Sequence, residues 1–172
     1  VYDYTLAQLE ALGNVVASKG KIVHIKPHGA MYNQAAKNKD LADAIVDAIT
    51  DFNKDLILLA LSGSQMIDSA KAKGVKYASE VFADRAYEAD GSLRARSLEN
   101  SMITDEDLAV ERVIKMVKTG KVTAYTGEEI DIEAHSVCVH GDSEKAFVFV
   151  QKLNEAFSKN GIETVGLIEA IK

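Results

Sequence analysis

The sequence is poor in the features that mark several classes of protein. A single cysteine, Cys138, excludes a disulfide within the chain and fits a reducing compartment. No apolar run approaches the ~20 residues that a membrane-spanning helix needs, and no signal peptide is visible. Lysine and arginine do not cluster and the net charge is −6, which argues against a nucleic-acid-binding face. We therefore expect a globular cytoplasmic protein.

The apolar residues that are present follow two periodicities. The chain has 172 residues, 47% of them apolar, which suits one domain over residues 1–172. Helices are predicted over residues 1–18, 34–52, 64–73, 104–117 and 144–159, and strands over residues 21–27, 55–61, 76–83, 122–125 and 136–139. Residues 87–100 read as a long loop and residues 161–171 as a last strand or tail. The alternation predicts an α/β fold with a parallel sheet, either open or closed into a barrel.

Three of the predicted strands end in side chains that can do chemistry. The first ends in Lys26-Pro27-His28-Gly29, the third in Asp84-Arg85, and the last in His140-Gly141-Asp142. The carboxyl ends of parallel strands lie at the edge of the sheet where sites are built. The sequence therefore predicts one pocket assembled from distant parts of the chain.

The two histidine segments suit proton transfer beside an anion. Lys26 and His28 lie on the same side of an extended chain, and together they suit binding an anion and moving a proton. His140 is the stronger catalytic candidate of its segment. Asp142 is expected to orient a histidine, to ligate a metal, or only to cap the helix that follows, and the sequence leaves these roles open.

The third strand offers two carboxylates and the loop after it an arginine. Glu80 and Asp84 are an even number of residues apart, so on a strand they would share a face as an acid and a base. The alternative is that Asp84 and Arg85 only lock the following loop through ion pairs. Arg96 is a candidate clamp for a carboxylate or phosphate, although a solvated arginine is equally consistent with the sequence. The sequence contains no glycine-rich phosphate loop of the P-loop type.

Three segments together resemble one family. They are Lys26-Pro27-His28-Gly29-Ala30-Met31-Tyr32-Asn33, then Glu80-Val81-Phe82-Ala83-Asp84-Arg85-Ala86-Tyr87, and Val137-Cys138-Val139-His140-Gly141-Asp142. In this order they resemble the LamB/YcsF family. The resemblance implies a distorted, TIM-like parallel β/α barrel of the glycoside hydrolase/deacetylase type. The acidic and histidine motifs that open the family's sequences do not occur here, so we expect the C-terminal portion of such a barrel, incomplete at its N-terminus.

The resemblance also implies a reaction, a cofactor and partners. The reaction is cleavage of 5-oxoproline to glutamate, coupled to hydrolysis of ATP. Mg²⁺ is expected to accompany the ATP. The family supplies the A component of this 5-oxoprolinase, which works together with subunits B and C. His28 or Asp84 would be the base and His140 the acid. The residues expected to bind substrate are Lys26, Tyr32, Asn33, Glu80, Arg85, Arg96 and Asp142.

Two other functions remain open at this stage. A metal-dependent amide or carbohydrate hydrolase or deacetylase of the same barrel type would hold a divalent ion between His28 and His140, with a place in carbohydrate metabolism. A non-catalytic scaffold would only dock the partner subunits. An incomplete parallel barrel would expose strand edges, so a homo-oligomer is also among our expectations.

Overall fold

The computed structural model describes residues 1–140 and 146–172 of the chain. These residues form two compact units, the first made of residues 1–79 with 171–172 and the second of residues 80–170. The prediction of a single domain over residues 1–172 stays a prediction.

The described residues form the following helices and strands. The helices are α1 (Tyr2–Val16), α2 (Gly29–Ala35), α3 (Lys39–Asn53), α4 (Gln65–Lys73), α5 (Glu106–Thr119), α6 (Ala146–Lys159) and α7 (Leu167–Ala170). The strands are β1 (His24–Ile25), β2 (Ile57–Leu61), β3 (Lys76–Phe82), β4 (Lys121–Thr123), β5 (Glu129–Asp131) and β6 (Ser136–Cys138).

In the first unit, parallel strands are covered by helices. β1 pairs with β2, with His24 opposite Ile57, and the start of β3 lies on the other side of β2. Every residue of β2 is buried, as expected for a continuous apolar run in a parallel sheet. α3 packs against both α1 and α4, and its buried face carries Ile45 and Ile49.

The sequence predicted longer elements in the first unit than the structure contains. The strand predicted over residues 21–27 pairs with β2 only at β1. The helix predicted over residues 34–52 begins within α2, a helix that the sequence did not predict, and corresponds mostly to α3. The two helices are separate because Asn38 caps the second one, its side-chain oxygen accepting a hydrogen bond from the Leu41 N–H at 3.1 Å. α4 ends as predicted at Gly74, whose φ of 68° is left-handed.

In the second unit, the end of β3 pairs with β6 in parallel, with Phe82 opposite Cys138. α5 and α6 pack against each other around a core that includes Val113 and Phe149. The predicted N-cap of α5, Thr104, is wrong by one residue. Asp105 is the cap, and its carboxylate accepts hydrogen bonds from two backbone N–H groups of the first turn.

The structure adds detail to three further predictions for the second unit. β4 is part of a hairpin, because β5 pairs with it in antiparallel fashion after a turn at Gly127. Residues 161–171 contain the short helix α7 and, in this described stretch, no strand. The loop after β3 is tied by antiparallel bridges from Arg85 to Met102 and from Tyr87 to Leu93.

The predicted α/β class with parallel strands is confirmed. Within residues 1–140 and 146–172, no helix combines the length and the apolar character needed to cross a membrane.

Candidate functional site

The second unit joins an aspartate and a histidine from the ends of two neighbouring strands. β3 ends at Phe82 and β6 at Cys138, and each is followed two residues later by a polar side chain, Asp84 or His140. Because these strands pair in register, their ends lie together and the side chains meet. The Nδ1 atom of His140 lies 2.9 Å from Oδ2 of Asp84.

An arginine contacts the second nitrogen of the same imidazole ring. Nη2 of Arg96 lies 3.3 Å from Nε2 of His140. A guanidinium can only donate hydrogen bonds, so Nε2 must be the acceptor. Nδ1 then carries a hydrogen and donates it to Asp84. This is the arrangement in which a carboxylate fixes the tautomer and orientation of a histidine.

His140 and Asp84 lie at a cavity of about 270 Å³ in the second unit. The wall is mostly apolar, and its residues include Met102, Ile103, Ala109, Val139 and Phe149. Among the described residues, Oδ1 of Asp84 is buried without a hydrogen-bond partner. A small, mostly apolar cavity with a few convergent polar groups is the usual form of a small-molecule site.

Arg85 holds the loop instead of facing the cavity. Its side chain is buried and donates a hydrogen bond from Nη2 to the carbonyl oxygen of Arg94 at 2.5 Å, while its own carbonyl accepts one from Arg112 at 3.1 Å. Burial, followed by repulsion from the nearby Arg96 guanidinium, lowers the pKa of Arg85. Arg85 therefore locks the following loop, as one of the two readings predicted, although it does so through a backbone carbonyl and not through an ion pair. Its role in substrate binding stays a prediction.

The loop after β3 is held by further contacts that fix the position of Asp84. The Tyr87 hydroxyl accepts a hydrogen bond from the backbone N–H of Phe82 at 2.8 Å, and burial raises the pKa of this phenol. Arg94 pairs with Glu88 at 2.7 Å and stacks over the ring of Tyr125 with its guanidinium 3.6 Å from the ring centroid.

Glu80 and Asp84 do not share a strand face as predicted. Glu80 lies within β3 and is 2% exposed, whereas the strand ends at Phe82. The alternation of side chains therefore does not extend to Asp84, which turns toward His140.

The remaining candidates that the structure describes belong to the first unit. Nζ of Lys26 lies 5.5 Å from the ring centroid of the buried Tyr32. His28 is exposed at the start of α2. Asn33 is also exposed, and it donates its side-chain N–H to the carbonyl of Gly29 in its own helix at 3.1 Å, which accounts for its amide without a substrate.

Several site predictions are untested by this geometry. The meeting of His28 with His140 in one pocket stays a prediction, and Asp142 lies outside the described residues. Across residues 1–140 and 146–172, no group of three or more histidine, cysteine or acidic residues is placed to hold a metal ion. The metal-dependent alternative stays a prediction.

Sequence reasoning did not identify part of the cavity wall. Glu106 and Phe149 both line it. Glu106 reads in the sequence only as an acidic residue in a helix first turn, and Phe149 only as part of the apolar face of α6. The face of α6 was visible as a periodicity, but nothing local indicates that it borders a cavity.

Comparison with known proteins decides the family. The sequence model of the LamB/YcsF family matches residues 1–172. The chain belongs to the LamB/YcsF family.

Curated relatives of the chain share one name, that of the A subunit of 5-oxoprolinase. The relative from Fusobacterium nucleatum is 51% identical over 98% of this chain and 66% of its own length. Another of the same name, from Clostridium beijerinckii, is 52% identical over 93% of this chain and 63% of its own length. The chain thus spans just under two thirds of these relatives, and a barrel incomplete at its N-terminus stays a prediction.

A solved structure has the same fold. The crystal structure of the lactam utilization protein from Thermus thermophilus matches with a TM-score of 0.85 and 34% identity, over 95% of this chain and 65% of that protein.

Proposed function

We propose that this LamB/YcsF chain acts as the A subunit of a 5-oxoprolinase, opening the lactam ring of 5-oxoproline to give glutamate. The family and the names of the relatives support the substrate and the reaction. The structural observation that carries the proposal is the Asp84–His140 pair, which lines a small cavity. Amide hydrolysis needs a water molecule, a base to deprotonate it and an acid to protonate the leaving nitrogen.

The tautomer of His140 suggests how one residue serves both needs. Nε2 takes a proton from the attacking water while the oxygen forms a bond to the lactam carbonyl carbon. The bond between that carbon and the ring nitrogen then breaks, and Nε2 returns the proton to the nitrogen. Asp84 keeps the imidazole oriented and stabilises its charged form between the two steps. His140 is then base and acid in turn, where the sequence assigned the base to Asp84 or His28.

The same proposal includes ATP, Mg²⁺ and subunits B and C. We do not place them in this cavity. Two of its lining residues are the carboxylates Asp84 and Glu106, which repel a polyphosphate. The volume of about 270 Å³ also lies below the range usual for sites that enclose larger ligands. The cavity therefore does not fit ATP, and we derive no step through the nucleotide.

Replacement of His140 by glutamine tests the proposal. The His140→Gln chain, assembled with the partner subunits, is expected to release glutamate from 5-oxoproline and ATP about 10²- to 10⁴-fold more slowly. The measurement is glutamate formed per enzyme, with circular dichroism to confirm that the variant is folded.

His135→Gln is the matched control. His135 lies before β6 and beside Glu133, outside the cavity wall, so this variant is expected to retain the wild-type rate. A folded His140→Gln enzyme that forms glutamate as fast as His135→Gln would remove His140 from the mechanism.

A further inference from the structure

Arg96 contacts Nε2 of His140, the nitrogen that must accept a proton in the proposed reaction. Its guanidinium lies at Nε2 of His140, on an exposed part of the loop after β3. Among the described residues, no carboxylate pairs with Arg96. An imidazole nitrogen at 3.3 Å is a weak partner for a guanidinium, which binds carboxylates in a bidentate, charge-assisted manner.

Among the described residues, the groups next to Arg96 carry more positive than negative charge. Arg85 and Arg96 are close enough to repel each other, and this repulsion contributes to the lowered pKa of Arg85. The nearby carboxylate is Asp84, whose Oδ2 is engaged by His140. Glu106 of the cavity wall is paired with Lys152 at 2.9 Å, so among the described residues two guanidinium groups face one carboxylate here, which favours the arrival of a single negative charge.

The positions of these groups connect anion binding to the reactivity of His140. While Arg96 donates to Nε2, that nitrogen cannot accept a proton from water. If a substrate carboxylate pairs with Arg96, the guanidinium has a stronger partner and leaves Nε2. In 5-oxoproline the carboxylate is attached to the carbon next to the ring nitrogen, so one small molecule presents both the anion and the bond to be cleaved.

We infer that Arg96 is an autoinhibitory cap on His140 that the carboxylate of the substrate removes. The inference rests on the proposed function. It makes the enzyme selective for lactams that carry a carboxylate, because a neutral lactam leaves Nε2 capped. Arg96 would thus bind the substrate and, before binding, hold His140 inactive.

Histidine NMR tests the cap without turnover. In the ¹⁵N-labelled chain, His140 is expected in the form with its hydrogen on Nδ1, and addition of 5-oxoproline should shift the Nε2 resonance. Addition of 2-pyrrolidinone, the neutral lactam with the same ring, should not. A hydrogen on Nε2 of the free chain, or equal shifts with both lactams, would overturn the inference.

Inorganic phosphate is the third titrant. A shift of the Nε2 resonance with phosphate but not with 5-oxoproline would show that the arginine takes a phosphoryl group, and would overturn the assignment to a carboxylate.

Kinetics of Arg96→Met in the assembled enzyme provide the second test. The variant removes the charge and keeps an unbranched stem. The preference in kcat/KM for 5-oxoproline over 2-pyrrolidinone is expected to fall about 10- to 100-fold, the usual effect of losing a hydrogen bond to a charged group. KM for 5-oxoproline should rise, and the slow turnover of 2-pyrrolidinone should increase because its attacking water now finds Nε2 uncapped. Arg96→Lys should restore part of the preference.

The two proposals fail in different ways. If the wild-type chain assembled with its partner subunits forms no glutamate from 5-oxoproline, the proposed function is wrong, whereas a fully active His140→Gln enzyme would remove only the role of His140. If His140→Gln is inactive while Arg96→Met keeps the wild-type preference and KM, the proposed function stands and the cap is wrong.

Discussion

At the scale of single residues, the position of Asp84 depends on a tyrosine that does not reach the cavity. The hydroxyl of Tyr87 accepts the backbone N–H of Phe82, two residues before Asp84, and the ring is fully buried. Tyr87→Phe removes the hydroxyl that accepts this buried hydrogen bond. We expect the free energy of unfolding to fall by about 1–3 kcal/mol, measured by urea denaturation.

Tyr125→Phe is the control for this prediction. Its ring stacks on Arg94 and is 48% exposed, so removing its hydroxyl should change stability by no more than about 0.5 kcal/mol. Equal losses in the two variants would mean that the buried hydrogen bond of Tyr87 does not stabilise the end of β3.

Residue by residue, the sequence predicted the polar pair better than it predicted the arginines. Asp84 and His140 follow the ends of apolar runs, and the rule for parallel strands was enough to bring them together. Arg85 and Arg96 could not be distinguished, because their roles depend on how the loop after β3 folds back. That path brings the carbonyl of Arg94 to Arg85 and leaves Arg96 for His140.

At the scale of elements, the N-cap of α5 stabilises one wall of the cavity. The carboxylate of Asp105 accepts hydrogen bonds from Asp107 N–H at 3.0 Å and from Leu108 N–H at 3.1 Å. α5 then presents Glu106 and Ala109 to the cavity. Asp105→Ala is expected to lower the free energy of unfolding by about 1 kcal/mol, measured by urea denaturation.

Asp107→Ala distinguishes the contribution of the N-cap to stability from that of the acidic charge in the same turn. The Asp107 side chain is 84% exposed and pairs with Lys152 at 3.1 Å, and such surface pairs contribute little. We expect a loss clearly smaller than that of Asp105→Ala. A larger loss for Asp107→Ala would indicate that charge near the helix start, not the cap, is decisive.

Elements were predicted well where the apolar period was long and poorly where it was short. α1, β2 and α4 follow their periodicities closely. β5 was missed because a three-residue strand with one apolar residue, Ile130, has no alternation to detect. α2 was not predicted, and the helix predicted over residues 34–52 began too early because its periodicity does not show that Asn38 caps α3.

At the scale of the whole molecule, each unit contains a surface carboxylate whose pKa is lowered. In the first unit, hydrogen bonds from Lys39 and then Ser69 lower the pKa of Asp43 below its ordinary 3.8. In the second unit, hydrogen bonds from Lys115 and then Thr123 lower the pKa of Glu129 below its ordinary 4.5. Both groups bind a proton more readily in the unfolded chain than in the folded one.

This difference sets the direction of the pH dependence. The contribution of each carboxylate is fully present above its unfolded pKa, that is above about pH 5, and is lost as the pH falls through the lowered folded value. The stability advantage of wild type over Asp43→Asn or Glu129→Gln, measured as urea midpoints, is therefore expected at about pH 7 and should shrink toward about pH 2. Because both pairs are exposed, salt should also reduce it at neutral pH. An advantage that stays constant across this range of pH would mean that these side chains stabilise the fold by packing, not by charge.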